Sequence, residues 1–168
     1  MRGRLVPATL TAAAVATGWM AYSVGGVAYA GHTNTIAKAK LTGAAEVPTK
    51  GDSDGRGSAS IFGIDGDAKT LCYVLRVKNI DLPAEGVAAH IHKGARGKSG
   101  PVVANLAGPV DGNAADCLTQ GETLASGAKA FPSKVKVAEI LKNPQNFYVN
   151  VHNPAFPGGA IRGQLSKG

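Results

Sequence analysis

The sequence predicts an all-β domain, an antiparallel β-sandwich or barrel-like fold with one short helix. Three observations carry that reading. Apolar residues recur at every second position over short stretches, turn-forming Gly, Pro, Asn and Asp collect between those stretches, and a 3.6-residue apolar period occurs once, late in the chain. After an apolar leader is set aside, the 168-residue chain is long enough for one ordinary domain and too short for two.

Residues 1–30 begin with Arg2 and Arg4, run apolar to Val27 and end in Ala28-Tyr29-Ala30. This is the order of a secretory signal peptide cleaved after Ala30. Pro7, Gly18, Gly25 and Gly26 interrupt the stretch and speak against an uncleaved membrane anchor. The expected protein is secreted, periplasmic or held in the cell envelope, with no membrane span after cleavage. Losing the two arginines lowers the net charge from +7 to +5. The remaining cations, such as Lys38, Lys40, Lys50, Lys69, Arg76 and Lys78, are separated along the chain without interleaved aromatics, so no nucleic-acid partner is expected. Cys72 and Cys117, an even count in an exported chain, read as a disulfide. Closing that loop stabilises by about 4 kcal/mol on the chain-entropy model.

Residues 31–37 read as a flexible leader carrying His32, and 38–168 as a single domain whose first strand lies near 39–41. A polar loop over 50–58 holds Asp52, Asp54 and Arg56. Strands over 59–64 and 70–78 flank an Asp65-Gly66-Asp67 turn, with Leu71, Tyr73, Leu75 and Val77 on the core side. A strand carrying the first histidines is followed by an apolar strand at 102–106 and by a loop over 108–121 that contains Cys117. The helical period falls at 134–142, where Val137, Ile140 and Leu141 form one stripe and Pro144 ends it. Alternation over 146–152 puts Phe147, Val149 and Val151 on one face and Tyr148, Asn150 and His152 on the other. On the last strand Ile161 and Leu165 point inward, with Ala160, Arg162 and Gln164 opposite.

His90 and His92 stand two positions apart on a strand and share a face, immediately before a turn containing Gly94, Gly97 and Gly100. With His152 they are all the histidines of the folded part. Three neutral imidazoles with an open fourth position suit copper, with zinc as the alternative. Tyr148 and Asn150 share the face of His152 and are candidates to orient the ligands. Two blander readings stand beside this one: His90 and His92 on a solvated face with His152 bonding a turn, or a contact face for a protein or glycan partner. No serine with a base and no paired carboxylates stand out, and Gly97-Lys98-Ser99 lacks the upstream glycine of a P-loop.

Several blocks resemble the CHRD (chordin-type) domain. They are Leu41-Thr42-Gly43-Ala44-Ala45-Glu46-Val47-Pro48, then Ala89-His90-Ile91-His92-Lys93-Gly94 with Gly97, Gly100, Pro101 and Val102, then Tyr148-Val149-Asn150-Val151-His152, and last Pro157-Gly158-Gly159-Ala160-Ile161-Arg162-Gly163-Gln164-Leu165. The resemblance covers almost all of 38–166. It implies a secreted domain for which protein binding is a theme and which is largely without an assigned activity.

A weaker resemblance is to the copper half of copper/zinc superoxide dismutase, a Greek-key antiparallel fold. It implies copper ligands at His90, His92 and His152, and at Arg162 a cation that attracts superoxide. A bridging histidine and a zinc loop are missing. The expected function is therefore extracytoplasmic metal handling. A copper redox enzyme and a metal-free interaction module of the envelope are the alternatives.

Overall fold

The computed structural model describes residues 36–168, so the signal-peptide reading and His32 lie outside the described residues. Among the described residues are nine strands: β1 Ala37–Thr42, β2 Arg56–Ile64, β3 Asp67–Lys78, β4 Ala88–Lys93, β5 Val102–Leu106, β6 Asn113–Thr119, β7 Phe147–Asn153, β8 Phe156–Gln164 and the two-residue β9 Ser166–Lys167. One helix, α1 Val137–Lys142, precedes β7. All strand pairings are antiparallel, as expected of an all-β chain joined by short turns.

Strand alternation explains the pairing. On β1, Ala37, Ala39 and Leu41 are buried while Lys38 and Lys40 are exposed. On β3, Leu71, Tyr73, Leu75 and Val77 line the core as the alternation predicts. β2 and β3 meet through a two-residue turn, Asp65-Gly66, in which Gly66 takes a positive φ of 80° that an Asp-Gly hairpin turn requires.

The strands form a single sheet in the order β5-β4-β7-β8-β1-β2-β3-β6, with β9 added beside β1. It curls into a nearly closed barrel around Ile61, Leu75, Ile91, Phe147, Val149 and Ile161, each fully buried. Residues 122–131 strap its two edges together. Asn105 N–H of β5 donates to Ala130 O (2.8 Å), Ala130 N–H to Glu122 O (3.1 Å) and Glu122 N–H to Thr119 O of β6 (3.0 Å). Ala107 N–H just past β5 also donates to Tyr73 Oη of β3 (2.8 Å).

Four expectations need correction. The region read as a loop over 108–121 contains β6, a strand with only Leu118 fully buried, so it lacks the apolar alternation that marks a strand. β6 is nevertheless paired along its length with β3, and Cys117 stands directly opposite Cys72, with Cα atoms 3.9 Å apart and a disulfide between them. β2 starts at Arg56, inside the loop read over 50–58. The helix starts at Val137, not at residue 134, because Lys136 is extended. Val137 and Ile140 of its stripe are buried and Leu141 partly so. β1 begins at Ala37, a fully buried residue at the end of the segment read as leader.

One consequence of the register positions the site. A single cross-strand row runs around the outside of the barrel from His90 through Asn150, Arg162, Thr42 and Arg56 to Lys78. Its first half is roofed by loops; its second half is open.

Candidate metal centre

β4 presents Ala89 and Ile91 to the core, so His90 and His92 project outward. β7 does the same with Val149 and Val151, which leaves Tyr148, Asn150 and His152 outward. β4 and β7 are neighbours, and their register sets Ala88 against His152, His90 against Asn150 and His92 against Tyr148. The three histidines predicted from sequence therefore come together. One nitrogen from each lies within 4.8 Å of the others, a grouping that could hold a metal ion. The rings stand edge-on or tilted, with centroids 5.1 Å (His90–His152), 5.6 Å (His90–His92) and 6.4 Å (His92–His152) apart.

The hydrogen bonds decide which nitrogens are free. His92 Nδ1–H donates to Gly100 O (2.8 Å) and His152 Nδ1–H to Pro157 O (2.9 Å). A carbonyl can only accept, so in both rings the proton sits on Nδ1 and the lone pair is left on Nε2. Those two Nε2 atoms and Nδ1 of His90 are buried without any hydrogen-bond partner. A buried polar atom left alone is costly, and three of them on histidines grouped this closely fit a cation.

Burial also holds all three imidazoles neutral. His90 is pushed down to about 4, by burial first and then by its two neighbouring histidines. Burial lowers His92 against the opposing bond to Gly100 O, and lowers His152 against the bond to Pro157 O. Neutral imidazole is the form a metal binds, so no proton need be displaced near pH 7. A groove of about 500 Å³ lined by Val87, Ala88, His90, Asn105, Leu124 and Ser126 reaches the centre from the β5 side.

Around the histidines lies a second layer of fixed groups. Tyr148 stacks on His92, with ring centroids 4.8 Å apart and planes 7° from parallel. Arg162 places its Cζ 3.4 Å from the centre of the same Tyr148 ring, and its Nη2 donates to Lys98 O (2.7 Å) and Ala95 O (3.3 Å). Gly100 N–H donates to Tyr148 Oη (3.2 Å), so the loop that supplies the His92 acceptor is itself pinned to Tyr148 and Arg162. At Gly100 a side chain would collide with Lys93 O, which leaves room only for glycine at that position. Asn150 Nδ2–H donates to Glu46 Oε1 (3.3 Å).

Arg162, read as a substrate-attracting cation, is only 2% exposed, its guanidinium taken up by two loop carbonyls and an aromatic face. Glu46 is equally buried, and burial pushes its carboxyl up to about 7 against the opposing Asn150 hydrogen bond and Arg162 charge. The carbonyls of Gly100 and Pro157 were missed. The glycines of the first loop and the Pro-Gly-Gly of the second were the only signals pointing to them. Cys72 and Cys117 lie on β3 and β6 and take no part in the cluster.

Residues 37–165 match the CHRD domain family, and the chain belongs to it. The fold and the histidine cluster are thus those of a CHRD domain in this chain. No curated protein and no solved structure was found to match, so the likeness to superoxide dismutase remains one of residue order.

Proposed function

We propose that the chain is an exported single-domain CHRD protein that binds a transition metal through His90, His92 and His152 for metal handling outside the cytoplasm. The carrying observation is the set of three buried, unpartnered imidazole nitrogens on histidines that can bring one nitrogen each within 4.8 Å of the others, two of them tautomerically fixed by carbonyls. Copper is favoured over zinc, because imidazole sites follow the order of divalent affinities that peaks at copper. The disulfide between Cys72 and Cys117 is in keeping with an oxidising compartment.

Metal handling is favoured over a dismutase-like redox role by the state of Arg162, which is buried and already bonded where an anion-attracting cation should be free. A metal-free interaction module gives no account of the three orphan nitrogens.

The test is to purify the protein from an oxidising compartment without chelator and measure bound copper and zinc with the copper paramagnetic spectrum. One equivalent with a nitrogen-ligand spectrum, lost in His90→Ala, His92→Ala and His152→Ala, is the expected result. No metal, and none taken up on addition, overturns the proposal.

A further inference from the structure

The cations that are scattered along the sequence are gathered by the fold. On the outward side of β1, β2 and β3, the register lines up Lys40, Ser58 and Arg76 in one row and Thr42, Arg56 and Lys78 in the next. Lys40, Arg56, Arg76 and Lys78 are all exposed, and no carboxylate occurs in either row. Lys38 and Arg96 extend the face along a second groove that also takes in Ser58 and Ser60. The two grooves, of about 530 and 450 Å³, share Lys40 and Ser58 and are continuous. Neighbouring strands are about 4.8 Å apart and alternate residues about 6.7 Å apart along a strand. By these spacings Arg56, Arg76 and Lys78 stand about 5–8 Å apart and Lys40 about 8–10 Å from Arg56 and Arg76, comparable to the ~8 Å screening length of physiological salt, so neighbouring charges reinforce one another.

We propose that this face binds an anionic polysaccharide, a chain bearing sulfate or carboxylate groups. The chemistry separates that ligand from other polyanions. The two rows carry no aromatic side chain on which bases could stack, and the face offers no protruding helix or ribbon to enter a duplex groove. They expose no large apolar side chain that could enter a lipid surface. Serine and threonine hydroxyls interspersed among the cations suit a ligand that presents both hydroxyls and anions. Arg56 is held in place by bonds from Nη1 to Gly55 O (2.7 Å) and Ser53 O (3.2 Å), which fixes one end of the face.

The test uses heparin as the sulfated probe and polygalacturonate as the carboxylated one, beside single- and double-stranded oligonucleotides and phosphatidylglycerol vesicles. The parent protein is expected to bind at least one of the two glycans in a salt-dependent way. The Lys40→Gln, Arg76→Gln, Lys78→Gln triple variant is expected to lose at least tenfold in affinity. A control with the same change in net charge, Lys134→Gln, Lys136→Gln, Lys142→Gln, alters exposed lysines outside the face and is expected to lose less than twofold. Equal losses in the two triples, no glycan binding by the parent, or tighter binding to an oligonucleotide or vesicle than to either glycan would each overturn the proposal. Its outcome is independent of whether the histidines hold a metal.

Discussion

The outward faces of two neighbouring parts of the barrel are built by the same strand alternation and end in opposite states. On β2 and β3 the outward Arg56, Ser58, Arg76 and Lys78 stand in solvent. On β7 and β8 the outward Tyr148, Asn150 and Arg162 are 3%, 3% and 2% exposed, although Arg162 belongs to the same cross-strand row as Arg56 and Lys78. Loop residues 94–101 and Glu46 cover the second group. Polar residues opposite a core are therefore not necessarily solvated. Where a loop roofs them each must find a partner, and that requirement turns a surface into a preorganised site.

Arg162→Leu should break the covered half most severely. It leaves the carbonyls of Ala95 and Lys98 without their donor and Glu46 without its neighbouring cation. A loss of about 3–5 kcal/mol is expected, the range for removing one member of a buried charged network. Urea unfolding measures it, and a loss under about 1 kcal/mol would mean that the roof does not depend on this residue.

Gly159→Ala tests the other side of the roof. Gly159 has φ of +135°, and a side chain there would run into the Glu46 carboxylate. Strain plus displacement of Glu46 should cost about 1–3 kcal/mol. Thermal unfolding should register a lower midpoint, and a matching variant in the open region, Gly66→Ala, should suffer only the backbone strain, since nothing surrounds that position.

The strands and the three histidines were legible because both rest on a period of two. His90, His92 and His152 share a side as soon as their strands are recognised, and one adjacency between β4 and β7 then completes the cluster. Where alternation failed, so did the reading. In β6 the exposed Asp116 and Cys117 mask a strand that exists because β3 offers it a free edge. Glu46 lies among small residues and nothing local marks it as a buried acid. Its burial depends on Asn150, more than a hundred positions away. The basic face was illegible for a related reason: Lys40, Arg56 and Arg76 become neighbours only through strand register, which charge spacing along the chain does not encode.

Glu46→Gln sharpens the comparison through pH. Unfolded, this carboxyl ionises near 4.5; folded, burial holds it to about 7. Between those values the folded protein holds more protons than the unfolded one, so this group lowers stability as pH rises through the window. The lowered histidines act in the opposite direction, and they are common to parent and variant. The stability of Glu46→Gln relative to the parent should therefore climb from about pH 4.5 to 7 and level off above it. Urea midpoints taken across that range measure the difference, and a flat difference would mean that Glu46 is not held protonated.

Arg76→Gln should produce the smallest change, and its value lies in the contrast with Arg162→Gln. Both substitutions remove one guanidinium from the outward face of the same barrel. Arg76 is exposed, so the loss should be within about 0.5 kcal/mol. Relief of repulsion from Lys40 and Lys78 could even make it stabilising at low salt. At Arg162 the shorter glutamine cannot span to Lys98 O and Ala95 O while covering Tyr148, so the loss should approach that of the leucine variant. Urea unfolding of the pair at low and at about 0.5 M salt separates the cases. A salt-sensitive, near-zero effect at Arg76 beside a large, salt-insensitive one at Arg162 would trace the difference to the loops that cover one and not the other. Similar losses at both positions would mean that the open face is held together by its own cations and that the two halves differ less than their exposure indicates.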